Sequence, residues 1–123
     1  MDKKILVVDD NEEITSVVKE EISALNPEWE VNCATSGKEC IATLENNMVD
    51  LVLLDIMMPG MNGWDVVAEM KKNEKMKSIP VVFLTAKTDN LSKAMGKLSA
   101  EEYICKPFDI MKLNETVRNV LIK

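Results

Sequence analysis

Ile5-Leu6-Val7-Val8 runs straight into Asp9-Asp10, and Leu51-Val52-Leu53-Leu54 runs straight into Asp55. Uninterrupted apolar runs of this length predict strands buried on both faces, as in parallel sheets covered by helices. Ile79-Pro80-Val81-Val82-Phe83-Leu84 is a third such run, stopping at Thr85. Tyr103-Ile104-Cys105 is a shorter one, stopping at Lys106-Pro107. Trp29 to Ala34 alternates more weakly and suits an outer strand. Helical spacing fills the intervals. Asn11, ahead of Glu12 and Glu13, offers an N-cap and an acidic first turn to a helix carrying Ile14, Val17, Val18, Ile22 and Leu25, which ends near Asn26-Pro27. Thr35 or Ser36 caps a second helix with Cys40, Ile41 and Leu44, ending at Asn46-Asn47. Ile56 to Asn62, with Pro59 and Gly60, reads as a loop, and Gly63 opens a helix with Trp64, Val67 and Met70. A fourth helix carries Leu91, Met95 and Leu98. Phe108 to Ile122 forms the last, with Ile110, Leu113, Val117, Val120 and Leu121 at helical spacing.

Strand and helix alternate five times with short connections and no linker or repeat. This predicts one α/β domain over residues 1–123: a doubly wound, flavodoxin-like (βα)5 unit whose five-stranded parallel sheet has the order 2-1-3-4-5, with helices on both faces. The 123 residues, 46% of them hydrophobic and 29% charged, are enough for one core. A net charge of −6 without a basic cluster argues against direct nucleic-acid or membrane binding. No secretory or membrane-spanning segment is evident, so a cytoplasmic location is expected. Three cysteines without a CxxC pair, Cys33, Cys40 and Cys105, are expected to be buried thiols. The chain has no histidine, which removes the commonest general base and metal ligand.

Ligands of an open parallel sheet bind beyond the carboxyl ends of the strands, near the point where strand order reverses. Four apolar runs stop there at Asp9-Asp10, Asp55, Thr85 and Lys106. Two carboxylates ~4 Å apart repel by about 4 kcal/mol at an effective dielectric near 20, so a cluster of three must protonate, separate or bind a cation. Oxygen donors without His or thiolate select Mg²⁺, with Mn²⁺ as the alternative, and Mg²⁺ held this way favours a phosphate partner. Lys106 adds a positive charge and Thr85 a hydroxyl for phosphoryl oxygens. Phosphoryl transfer to a carboxylate is the chemistry these residues favour.

Asp9-Asp10, then Asp55-Ile56-Met57-Met58-Pro59-Gly60-Met61-Asn62-Gly63, then Thr85-Ala86, then Tyr103 and Lys106-Pro107-Phe108, resembles the receiver domain of two-component response regulators over essentially the whole chain. The resemblance implies that Asp55 is the phosphoacceptor, and that Asp10, Asp55 and the backbone carbonyl of Met57 ligate Mg²⁺ while Asp9 acts mainly through water. It further implies that Lys106 binds a phosphoryl oxygen, that Thr85 and Tyr103 form a switch pair, and that the Lys106-Pro107 peptide is cis. The implied partners are a sensor histidine kinase or histidine phosphotransfer protein, and a downstream output protein or domain meeting residues 88–122. Lys93, Lys97, Lys112 and Arg118 there would either meet an acidic partner or form a solvated face. Ser99, where the family usually has Gly, and Gly96 inside the preceding helix depart from the pattern, and Met57 and Lys87 occupy variable positions. A dehalogenase-type phosphatase would need an acid where Met57 stands. A flavodoxin would need a phosphate loop where Asp9-Asp10-Asn11-Glu12 stands, and a phosphorylation-independent interaction domain would not need the acidic cluster.

Overall fold

The computed structural model describes residues 2–86 and 102–123. Its elements are β1 (Lys4–Val8), α1 (Glu12–Leu25), β2 (Glu30–Ala34), α2 (Gly37–Asn46), β3 (Leu51–Asp55), α3 (Gly63–Lys71), β4 (Val81–Ala86), β5 (Glu102–Lys106) and α4 (Ile110–Leu121). The expected helix through Leu91, Met95 and Leu98, together with Lys87, Lys93, Gly96, Lys97 and Ser99, lies outside the described residues. All strand pairs are parallel and the sheet order is β2-β1-β3-β4-β5. The order reverses between β1 and β3, as expected from the alternation of elements.

Alternation along the strands divides the interior into two layers. Leu6, Val8, Val52, Leu54 and Phe83 face Cys40 and Leu44 of α2 and Val66, Val67 and Met70 of α3. Ile5, Val7, Leu51, Leu53, Val82 and Leu84 face Val18 and Ile22 of α1 and Leu113, Val117 and Val120 of α4. Every residue of β3 is buried, which explains why its sequence is apolar without alternation. Ile79-Pro80 lies outside β4, and Asp55, Thr85 and Lys106 lie inside the last turns of ladder rather than just beyond them. The reason is that a strand's end is set by its hydrogen-bonded neighbour, not by where its apolar run stops.

Helix starts follow the sequence closely. The side chains of Asn11, Ser36 and Asp109 accept from Glu13 N–H, Glu39 N–H and Met111 N–H, and Asn62 forms a reciprocal capping box with Asp65. Of the three thiols only Cys40 is buried; burial pushes it up to about 12, so it stays protonated. Cys33 and Cys105 are half-buried, which corrects the expectation for both. They sit on edge strands, which neighbouring elements cover less completely than β3.

Asn26 ties the end of α1 to α4. Its buried amide donates to Ile22 O at 2.9 Å and to Asn114 Oδ1 at 2.7 Å, and its Oδ1 accepts from Arg118 Nη1 at 2.7 Å. The Arg118 guanidinium also lies 5.9 Å from the Trp29 ring centroid. Arg118, expected to be solvated or free for an acidic partner, is therefore held by its own chain. Asn26→Ala removes all three bonds and should cost about 1–3 kcal/mol. Urea unfolding is expected to show a lower midpoint at unchanged slope; an unchanged midpoint would contradict this latch.

Candidate functional site

Parallel strands that begin together also end together, and the register sets Val8 level with Leu54 and Leu54 level with Phe83. Consequently Asp9, just past β1, and Asp55 and Lys106, the last residues of β3 and β5, reach one edge of the sheet. Asp9, only 1% exposed, accepts Asn11 N–H on Oδ1 at 2.9 Å and Lys106 Nζ on Oδ2 at 2.7 Å. Asp55, 5% exposed, places Oδ1 at 3.3 Å from the same ammonium. Asp10 is exposed, and one carboxylate oxygen from each of Asp9, Asp10 and Asp55 lies within 4.8 Å of the others.

Asp55 is pushed up from 3.8 to about 6, first by burial and then by the Asp9 charge, with Lys106 pulling against both and Asp10 adding a smaller upward push. It is still mostly ionised at neutral pH, as a nucleophile or metal ligand must be. Burial would lower Lys106, but its hydrogen bond to Asp9 and the charges of Asp55 and Asp9 outweigh that and leave it raised, so the ammonium is fixed as a cation. One ammonium against three carboxylates leaves net negative charge on oxygen donors alone, a set that fits Mg²⁺.

The other expected residues are nearby but play different parts in the architecture. Thr85 is buried in β4 opposite Cys105, one position beyond the residue paired with Asp55. Tyr103 pairs with Phe83 and is half-buried against the α2–α3 layer. Met57 is 65% exposed, whereas Met58 is buried and Met61 is packed on the same layer. Trp64 packs edge-on against Phe83 with centroids 5.0 Å apart. The Lys106-Pro107 peptide is cis.

Gly63 has a role that its position as a helix opener did not reveal. A Cβ there would stand 2.8 Å from Asp55 O and from Ile56 Cα, and its N–H donates to Ile56 O at 2.8 Å. The first turn of α3 rests directly on the backbone that carries Asp55. Gly63 stood in the sequence as the last residue of the motif from Asp55 to Gly63, but its reason is a contact between segments. Gly63→Ala should destabilise the fold by about 1–3 kcal/mol, the usual cost of overpacking, because the backbone that carries Asp55 must yield. Urea unfolding would measure the loss; a wild-type midpoint would refute the contact's importance.

Residues 5–118 match the family described as the response regulator receiver domain. The alkaline phosphatase synthesis transcriptional regulatory protein PhoP of Bacillus subtilis is 34% identical over 122 residues, covering 98% of this chain and 49% of PhoP. The chain thus spans about half the length of the curated relative it matches. Among solved structures, chemotaxis protein CheY4 of Vibrio cholerae is similar with a TM-score of 0.89 at 29% identity, covering 98% of this chain and 99% of that one. Response regulator protein TrrA of Thermotoga maritima, in complex with Mg²⁺–BeF, is similar with a TM-score of 0.83 at 36% identity, covering 96% and 98%.

Proposed function

Because the chain belongs to the response regulator receiver domain family, we propose that it accepts a phosphoryl group on Asp55 from a phosphohistidine and so acts as a switch in two-component signalling. The observation that carries this reading is the placement of Asp55 Oδ1 3.3 Å from the Lys106 ammonium and within a three-carboxylate, oxygen-only cluster. A carboxylate of Asp55 attacks phosphorus, the P–N bond to the donor imidazole breaks, and the imidazole nitrogen recovers a proton from solvent. Lys106 then pairs with a phosphoryl oxygen in place of the Asp55 oxygen. Water later attacks phosphorus, the P–O bond to Asp55 breaks, and the carboxylate and inorganic phosphate are released.

Asp10, Asp55 and the Met57 carbonyl are the residues that would hold Mg²⁺, with Asp9 acting through water. When bound, the ion supplies charge neutralisation for the phosphoryl oxygens and orients them for in-line attack. The complex of TrrA with Mg²⁺–BeF supports Mg²⁺ binding by likeness. Because these 123 residues contain no histidine, the phosphohistidine lies outside them, on a sensor kinase or a phosphotransfer protein, unless a small phosphodonor replaces it. We assign the reaction to the cytoplasm together with those proposed partners. Among the described residues no helix is long and apolar enough to cross a membrane.

Thr85 and Tyr103 are the proposed switch pair. A charge-assisted bond from Thr85 contributes roughly 1.5–3 kcal/mol, whereas shifting an equilibrium from 1:99 to 99:1 takes about 5.5. Thr85 therefore needs the Lys106 contact and the inward movement of Tyr103, which already abuts the α2–α3 layer. The output surface is then the region that includes β5 and α4, where an output protein or domain reads the change. Incubation with Mg²⁺ and acetyl phosphate is expected to add a base-labile phosphoryl group to the wild type and none to Asp55→Asn. An unmodified wild type, or equal labelling of the variant, would sink the phosphoacceptor assignment.

A further inference from the structure

The loop from Ile56 to Asn62 joins β3 to α3, and most of its anchor points are already plain. Ile56 and Met58 are buried in the α2–α3 layer, and Gly60 turns the chain at φ 74°. The remaining anchor is Met61, which is packed on the first residue of α2. A Cβ added at Gly37 would stand 2.8 Å from both Cβ and Cγ of Met61 and 2.9 Å from its carbonyl oxygen. The start of α2 has little freedom to yield. Ser36 accepts Glu39 N–H at 3.1 Å, and the Glu39 carboxylate accepts Thr35 N–H at 2.9 Å. Gly37 itself is buried and has no positive φ, so its lack of a side chain serves the close approach rather than the backbone angle.

We propose that Gly37 is a positioning residue for the Asp55 site: its bare Cα seats Met61 on α2, and that seat fixes the path of the loop that begins at Asp55 and carries Met57. The inference rests on the reading of Asp55 as phosphoacceptor and of the Met57 carbonyl as a Mg²⁺ ligand. Gly37 touches no reacting atom and acts only through Met61. Elsewhere, Gly→Ala at the first position of a helix with ordinary dihedrals is neutral or stabilising, because it restricts the unfolded chain. A loss at this position therefore reports the Met61 contact.

The test compares Gly37→Ala, Met61→Gly and the double variant in the full chain. Folding is followed by circular dichroism, Mg²⁺ affinity by calorimetry, and phosphorylation by acetyl phosphate labelling. Gly37→Ala should bind Mg²⁺ more weakly and label more slowly by about tenfold, in line with the sensitivity of transfer to small misplacements. The double variant, in which two of the three close contacts are gone, should recover to the level of Met61→Gly. A folded Gly37→Ala with wild-type affinity and rate overturns the inference, as does a double variant that falls below Met61→Gly by the full factor that Gly37→Ala loses alone. If Gly37→Ala does not fold, a double variant that folds and labels supports the inference, and one that fails as well overturns it. A wild type that is never labelled overturns the phosphoacceptor reading and this inference with it, whereas labelled wild type beside unimpaired Gly37→Ala overturns the inference alone.

Discussion

Lys106→Met is expected to lose roughly 3 kcal/mol of stability at pH 8 in metal-free buffer, near the lower end for breaking a buried ion pair. The substitution keeps most of the apolar stem and removes the charge that sits 2.7 Å from Asp9 and 3.3 Å from Asp55. Asp9 is then left as a buried carboxylate without a cation, facing a second one. The lower end applies because the Lys106 side chain remains 25% exposed, so solvent screens part of the pairing. With the ammonium gone, the folded-state titration of Asp55 moves further above its value of about 6. The folded variant then holds protons that the unfolded chain has released, so its stability falls as pH rises over a wider and higher range than in the wild type. Denaturant unfolding at pH 5 and pH 8 separates the cases. Equal stability of variant and wild type at pH 8 would refute the ion pair as the element that holds the two carboxylates in place.

The second large effect has the opposite sign. Asp55→Asn, besides removing the proposed phosphoacceptor, should stabilise the metal-free fold by about 1–2 kcal/mol above pH 6. A carboxyl held at about 6 instead of 3.8 costs the folded state roughly 3 kcal/mol once it is ionised. Part of this is not recovered, because a buried amide needs hydrogen bonds of its own. Below pH 3.8 the wild-type carboxyl is protonated in both folded and unfolded chains, and its ionisation contributes nothing. Between 3.8 and 6 the folded chain holds the extra proton, so wild-type stability falls as pH rises, and above 6 the difference is constant. The stability gap between variant and wild type should therefore open from about pH 4 to pH 6 and then level off. Saturating Mg²⁺ should raise the wild type much more than the variant and narrow the gap. A gap independent of pH, or a variant less stable than wild type at pH 8, would contradict the buried-charge account.

Much of the site was legible in the sequence because parallel strands deliver their carboxyl ends to one place. Runs that stop at Asp9, Asp55, Thr85 and Lys106 define that edge before any coordinates exist. The switch point between β1 and β3 followed from the alternation of elements together with the weakly patterned segment from Trp29 to Ala34, which suits an outer strand. Less visible were contacts between residues distant in the chain that have no chemical signature. Arg118 reads as a surface cation, but Asn26 holds it across a separation of 92 residues. Gly63 reads as a helix opener, yet its Cα lies against the Asp55 backbone. Cys33 and Cys105 read like Cys40, although edge strands leave them half-covered.

Asp9 and Asp10 mark the boundary between the two sources of information. By residue type the sequence determined that both carboxylates stand at the end of β1, because the apolar run ends there. It also determined that the available donors were oxygens, because no histidine exists in the chain. Only the tertiary structure decided that Asp9 is buried against Lys106 while Asp10 stays exposed. Asp9 directly follows β1, whereas Asp10 stands at a bend, so two identical neighbours meet different surroundings. Which of them meets the cation depends on where β5, almost a hundred residues later, joins the sheet.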